Sequence, residues 1–221
     1  MKKVFVFNGS PRKTGNSSVM LQYFLEGVKE ASGSHEIVHA GEIHLDYCKG
    51  CLRCNVLGRC SNEKDDWKML SEKLLNSDII VFASPIYFHH LTASLKKIID
   101  RFRSFVQVQI TETGLRHTPW HAWNKDFVLL LSMGSSDDID ARPVIDLFEY
   151  ITQILGNKNR LHVITATRLA VTGQLLKTPD ELEALYAKLI LPQQLASADA
   201  EKNRETVDRC YRLGKELTLI K

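Results

Sequence analysis

Short, continuous apolar runs alternate along this chain with stretches whose apolar positions recur every three or four residues. Val4-Phe5-Val6-Phe7, Ile79-Ile80-Val81-Phe82-Ala83 and the run from Phe127 to Leu131 read as strands covered on both faces. Glu36 to Ala40 and Leu161 to Thr167 read as two further strands. Between them, Val19, Leu21, Phe24, Leu25 and Val28 form one helical face, which ends near Gly33. Trp67, Met69, Leu70, Leu74 and Leu75 form a second, with Asp65 and Asp66 in its first turn, where the helix dipole favours acids. Leu91 to Phe105 and Pro143 to Leu155 supply two more helices. Five strands joined by crossover helices predict a doubly wound parallel α/β sheet. Residues 179–221 read as two amphipathic helices, packed on the core or on a second subunit. The expected organisation is one domain over 1–178 with 179–221 as its helical extension.

In such sheets ligands sit outside the carboxyl ends of the strands. Three segments meet that requirement: 8–17, 84–90 and 132–137. The first, Asn8-Gly9-Ser10-Pro11-Arg12-Lys13-Thr14-Gly15, leads from a strand into a helix opening at Asn16-Ser17-Ser18. It is rich in hydroxyls and positive charge, and a helix start offers unpaired N–H groups, so the loop suits a phosphate. Asn16 or Ser17 is expected to cap the helix. The spacing excludes a Walker A loop, since Asn16 stands where the lysine belongs, and it excludes G-x-G-x-x-G. The second segment, Ser84-Pro85-Ile86-Tyr87-Phe88-His89-His90, offers apolar and aromatic surface to a flat ring, or packs into the core. His89 or His90 would donate to a substrate or make a structural hydrogen bond.

A net charge of +3 is too small to argue for nucleic acid or a membrane surface, and no apolar run approaches the ~20 residues of a membrane span. The chain opens on a strand rather than a leader, so a cytoplasmic location is expected. Cysteine usage changes the picture most. Four of the five cysteines fall within residues 48–60, as Cys48-x2-Cys51-x2-Cys54-x5-Cys60. Four closely spaced thiolates on an irregular loop, with Gly50 and Gly58 for backbone freedom, suit the corners of a [4Fe-4S] cube better than two separated zinc pairs. Reduced thiols, a zinc site and a disulfide remain open as other readings. Cys210 reads as an ordinary thiol. Asp100 and Arg101 read as a structural ion pair. Residues 104–125, with His117, Trp120, His121 and Trp123, form a long connection that would serve as a lid or a surface excursion.

GSPRKTGNS after the first strand, SPIYF after the third and LKKIIDR on the next helix resemble the NADPH-dependent FMN reductase family of flavodoxin-like proteins, over roughly residues 1–170. The cysteine spacing resembles that family's iron–sulfur flavoprotein branch. The resemblance implies a flavodoxin-like sheet of order 2-1-3-4-5 and bound FMN. Ser10, Arg12, Asn16, Ser17 and Ser18 would hold the phosphate. Pro85, Ile86, Tyr87 and Phe88 would lie against the isoalloxazine, bordered by Gly134 and Ser135. It implies NAD(P)H as electron donor, Cys48, Cys51, Cys54 and Cys60 as possible ligands of a [4Fe-4S] cluster, and a quinone or ferredoxin-like acceptor. A homodimer or homotetramer is expected, with no catalytic side chain required. The alternative is a redox-responsive flavin-binding protein whose cysteines sense oxidant or metal.

Overall fold

A computed structural model describes residues 1–220. Strands β1 (Lys3–Asn8), β2 (Ser34–His39), β3 (Ile79–Pro85), β6 (Asp126–Ser132) and β7 (Arg160–Ala166) form one sheet, ordered β2-β1-β3-β6-β7, with every neighbouring pair parallel. Counting sheet strands alone, this is the expected order 2-1-3-4-5. Helix α1 (Asn16–Glu30) lies on one face. Helices α3 (Trp67–Leu75), α4 (Ala93–Arg101) and α5 (Arg142–Leu155) lie on the other.

The apolar runs are continuous because each strand feeds two cores. Phe5, Phe7, Ile80, Phe82, Phe127 and Leu129 pack with Trp67, Leu70, Ile98 and Phe148 on one face. Val4, Val6, Ile79, Val81, Val128 and Leu130 pack with Met20, Phe24, Val28 and Leu217 on the other. Side chains alternate along a strand, so both sets must be apolar when both faces are covered.

The tail forms α6 (Pro179–Leu189) and α7 (Ala196–Leu219), and α7 packs on α1 of the same chain. Two glycines permit the approach. A Cβ on Gly27 would lie 2.1 Å from the Tyr211 carbonyl oxygen, and one on Gly214 would lie 2.0 Å from that of Phe24.

The segment expected as a long loop over 104–125 is instead mostly a hairpin, β4 (Val106–Thr111) and β5 (Gly114–Pro119), apart from the main sheet. The alternation Val106-Gln107-Val108-Gln109-Ile110 is its sequence signal. The helix expected over 91–105 is shorter: α4 ends at Arg101 and tightens into a 3-10 turn through Phe105. Among the described residues no helix is long and apolar enough to cross a membrane.

Candidate functional site: a sheet-edge cavity and a cysteine cavity

The loop after β1 is built by the residues that flank it. Asn8 is buried; its Oδ1 accepts the Ser10 N–H at 3.0 Å, and its Nδ2 donates to Ser18 Oγ at 3.1 Å. Gly9 sits where a Cβ would meet Leu95 Cδ1 at 2.3 Å, so the loop lies directly on the start of α4. The expected capping by Asn16 or Ser17 does not occur. The N-cap is Gly15, with no side-chain hydrogen bond. Asn16 instead ties the loop to the segment after β7, donating to Val171 O at 2.9 Å and accepting from Leu175 N at 3.1 Å. Ser17 Oγ lies 2.7 Å from Ser132 Oγ in a buried pair. With no cap, the first N–H groups of α1 stay open, together with the positive end of its dipole.

These residues border a cavity of about 200 Å³ lined by Ser10, Arg12, Gly15, Asn16, Ser17, Pro85, Ile86, Tyr87 and Gly134, by Ser132 and Met133 of the third expected segment, and by two residues not anticipated, Leu169 and Ala170. Of the expected contacts, Ser18, Phe88 and Ser135 do not line it. Ser18 braces the loop by donating to Arg12 O. Phe88 is fully exposed and, with His89, occupies a two-residue turn in which both residues have positive φ, +48° and +60°. Tyr87 N–H to His90 O and His90 N–H to Tyr87 O close that turn. Ser135 Oγ accepts from Asp137 N–H. His89 Nδ1 lies 3.4 Å from Asp140 Oδ1. Burial, then the neighbouring Lys96, pushes the His90 imidazole below its usual range.

The wall at 168–175 has its own brace. Arg168 is left-handed (φ +57°), its N–H donates to Ser135 O, and its guanidinium grips buried Asp199 on α7. Tyr186 on α6 donates its hydroxyl to the same carboxylate at 2.7 Å. Burial first, then Asp199, pushes the Tyr186 phenol up to about 12. Gln174 accepts from the N–H groups of Ala170 and Val171 and donates to Arg168 O.

The cysteine segment leaves the sheet edge and runs down α4. Lys97 Nζ donates to Leu45 O, and Arg101 Nη1 donates to Asp46 O. The cysteines therefore gather at the C-terminal end of α4, although their segment follows β2 at the sheet edge that carries the loops after β1, β3 and β6. Cys48, Cys51, Cys54 and Cys60 all line one cavity of about 290 Å³, together with Tyr47, Arg101, Arg103 and Ser104. The segment is not wholly irregular: α2 (Cys54–Leu57) is a short helix ending at left-handed Gly58 (φ +66°). Trp120 from the end of the hairpin lies against Gly58, and Trp123 is buried in the core beside Phe105. Neither tryptophan lines the sheet-edge cavity.

Arg101 does not pair with Asp100, which binds Lys96 at 2.5 Å. It pairs with Asp65, and the side chains of that pair are 2% and 0% exposed. Asp65 Oδ1 also accepts the Trp67 N–H, and its Oδ2 accepts the Asp46 N–H. Burial alone would push the Asp65 carboxyl up, but these hydrogen bonds, led by that from Arg101, hold it below the ordinary carboxylate range. Arg101 Nη2 reaches Cys60 Sγ at 3.2 Å, and Arg103 Nη1 reaches Cys54 Sγ at 3.6 Å. The Cys51 thiol is lowered, first by the Arg53 N–H and then by Ser61 Oγ, whereas burial raises that of Cys54. Cys210 is buried far from this cavity, and desolvation pushes its thiol up to about 12. Among the described residues no three His, Cys, Asp or Glu side chains converge on a single ion position.

The sheet order, with its open edge between the loops after β1, β3 and β6, places the chain among the flavodoxin-like proteins, whose ligands sit at this edge. The chain belongs to the NADPH-dependent FMN reductase family, whose model matches residues 2–173. It is 39% identical over 101 residues to an iron-sulfur flavoprotein of Archaeoglobus fulgidus, covering 46% of this chain and 45% of that protein. The chain thus spans about half the length of the curated iron–sulfur relatives it matches. It is 24% identical over 166 residues to the putative NAD(P)H-dependent FMN-containing oxidoreductase YwqN of Bacillus subtilis, covering 73% and 83% of the two chains. Among solved structures, an azoreductase from Bacillus anthracis superposes with a TM-score of 0.62 at 14% identity, covering 98% of this chain and 100% of that one. An NAD(P)H:quinone oxidoreductase from Methanothermobacter marburgensis gives 0.60 at 16%, covering 97% and 95%. At these identities the structural likeness is one of fold.

Proposed function

We propose that this protein is an FMN-dependent NAD(P)H oxidoreductase that passes electrons through a [4Fe-4S] cluster held by Cys48, Cys51, Cys54 and Cys60. The observation that carries the reading is that all four thiols of the compact motif line a single cavity. Four thiols around one space suit a cluster bearing one iron at each corner. The name shared with the iron–sulfur relatives supports the same reading.

The sheet-edge cavity fits a flavin mononucleotide at its phosphate end. The open N–H groups at Asn16 and Ser17 and the Arg12 guanidinium present donors and positive charge to an anion, while the Ser10 hydroxyl, at the cavity wall, shapes the loop by donating to Arg12 O. Pro85, Ile86 and Tyr87 give the ring an apolar floor, and Gly134 leaves room beside it. About 200 Å³ is smaller than the roughly 300–1,000 Å³ of typical ligand pockets, so the cavity encloses part of a mononucleotide and leaves the rest at the open rim. There a nicotinamide or an acceptor has access. The two groups, when bound, supply the hydride and single-electron chemistry. The residues bind and orient: Asn16 and Ser17 fix α1 against the cavity wall, and Asn8 holds the loop whose Ser10 and Arg12 line the cavity. A quinone-type or ferredoxin-like acceptor, a homo-oligomer and a cytoplasmic setting complete the proposal.

Purification without oxygen, followed by a visible spectrum and an NAD(P)H oxidation assay with quinone, tests the flavin half. A flavin spectrum with steady turnover is expected. A colourless protein that binds no added FMN contradicts it. The exposure of Cys48 and Cys51 favours one second reading, in which the thiols respond to oxidant through a partner. Bound flavin without turnover on any acceptor, together with a cysteine-dependent partner, would select it.

A further inference from the structure

We infer that Arg103 and Arg101 are positioning residues that hydrogen-bond the sulfurs of Cys54 and Cys60 and thereby set the reduction potential of the cluster these thiols hold; this rests on the cluster reading above.

The chain approaches the cavity with two guanidinium groups from one short segment. Helix α4 ends at Arg101, and the following 3-10 turn carries Arg103. Each arginine is fixed by oxygen partners and still has an N–H on a sulfur. Arg101 gives Nη1 to Asp65 Oδ2 at 2.6 Å and to Asp46 O at 2.9 Å, and Nη2 to Asp65 Oδ1 at 3.2 Å. Nη2 also reaches Cys60 Sγ, and the guanidinium lies over the Trp67 ring, 5.4 Å from its centroid. Arg103 gives Nη1 to Val106 O and Nη2 to Asn55 Oδ1, both at 2.8 Å, and Nη1 also faces Cys54 Sγ. Asn55 is itself pinned to the hairpin, donating from Nδ2 to Val108 O and accepting at Oδ1 from Val108 N–H. The donors are thus locked in rotamer before any cluster is present.

Burying an arginine is costly unless its partners are in place. For Arg101, Asp65 meets that need, and a lysine would meet it too. What a lysine lacks is the planar fork that serves Asp65 and Cys60 from one group. Reduction adds negative charge to a cluster and its thiolate sulfurs. Fixed N–H donors and guanidinium charge at those sulfurs favour the reduced form and raise the potential.

The test uses the full chain purified anaerobically, with iron and acid-labile sulfide assayed first. Arg103→Leu is the main variant, because Arg103 has no buried carboxylate to orphan. Arg103→Lys keeps the charge on a flexible stem. Each is followed by a redox titration read by visible absorbance and by the EPR spectrum of the reduced protein, and by the rate of iron loss to a chelator. The expected result is wild-type iron in Arg103→Leu with a more negative midpoint potential, an altered EPR spectrum and severalfold faster iron loss. Arg103→Lys should fall between it and the wild type. Unchanged potential and spectrum at full iron content overturn the inference and leave the cluster reading standing. If Arg103→Leu fails to hold iron, Arg103→Lys decides, and a wild-type potential there overturns it. A wild type with neither iron nor sulfide overturns the cluster reading itself, and this inference with it.

Discussion

Arg101 and Asp65 are 36 positions apart and form the most deeply buried ion pair beside the cysteine cavity. Sequence adjacency suggests Asp100 instead, but neighbouring residues on a helix face different ways, and Asp100 turns to Lys96 one turn back. Removing one member of a buried pair leaves the other charged and unpaired. Arg101→Met should therefore cost about 3–5 kcal/mol in a urea titration, far more than Lys96→Ala on the exposed pair, which should cost about 0–1 kcal/mol. Asp65, Asp126 and Asp199 all titrate below the ordinary carboxylate range in the folded chain. The unfolded chain binds more protons near pH 4, so stability is full above that pH and is lost as pH falls through the lowered values. Tyr186 acts at the other end of the scale. Its phenol, raised to about 12, contributes stability that is complete below about pH 10 and fades between there and 12. Denaturant midpoints across pH should show both flanks, and Tyr186→Phe should flatten the alkaline one.

At the scale of elements, contiguous motifs were legible and distant braces were not. Strand, loop and helix follow one another at 3–30, so the phosphate-type loop could be read directly, along with Tyr87 on the next loop. Leu169 and Ala170 carry no motif, and they reach the cavity only because Asn16, Gln174 and Asp199 hold their segment in place. The helix cap was misread because Asn16 has a better pair of partners in Val171 and Leu175 than its own helix offers. The hairpin's alternating Val106, Val108 and Ile110 were visible, but without an Asn-Gly or Asp-Gly turn they passed as loop. This brace makes α7 part of the cavity's support. Asp199→Asn should weaken Arg168 and Tyr186 together, costing about 1–3 kcal/mol of stability and loosening FMN binding measured by flavin fluorescence. Gly214→Val should destabilise more broadly, since its side chain would strike the α1 backbone at Phe24; a lowered thermal midpoint with normal flavin affinity in the folded fraction is expected.

Across the whole molecule, α4 separates two chemistries. Its start is held against the phosphate-type loop through Leu95 and Gly9, and its end carries Arg101 into the cysteine cavity. From Ala93 to Arg101 the helix rises about 12 Å. The two cavities share no lining residue, so changes at one can be made without touching the other. Because the cysteines follow β2, chain order alone would set both at one sheet edge. Chain order does not reveal the backbone at Leu45 and Asp46 captured by Lys97 and Arg101 and carried down the helix.

That the four cysteines act together on a cluster is the claim on which the rest depends. Iron and acid-labile sulfide should be assayed in protein purified without oxygen, alongside Cys54→Ala, which removes the most buried of the four thiols. The account predicts iron and sulfide in equal amounts in the wild type and their loss in Cys54→Ala, with the flavin spectrum retained in both. Flavin without iron in the wild type, or iron undiminished in Cys54→Ala, would contradict it.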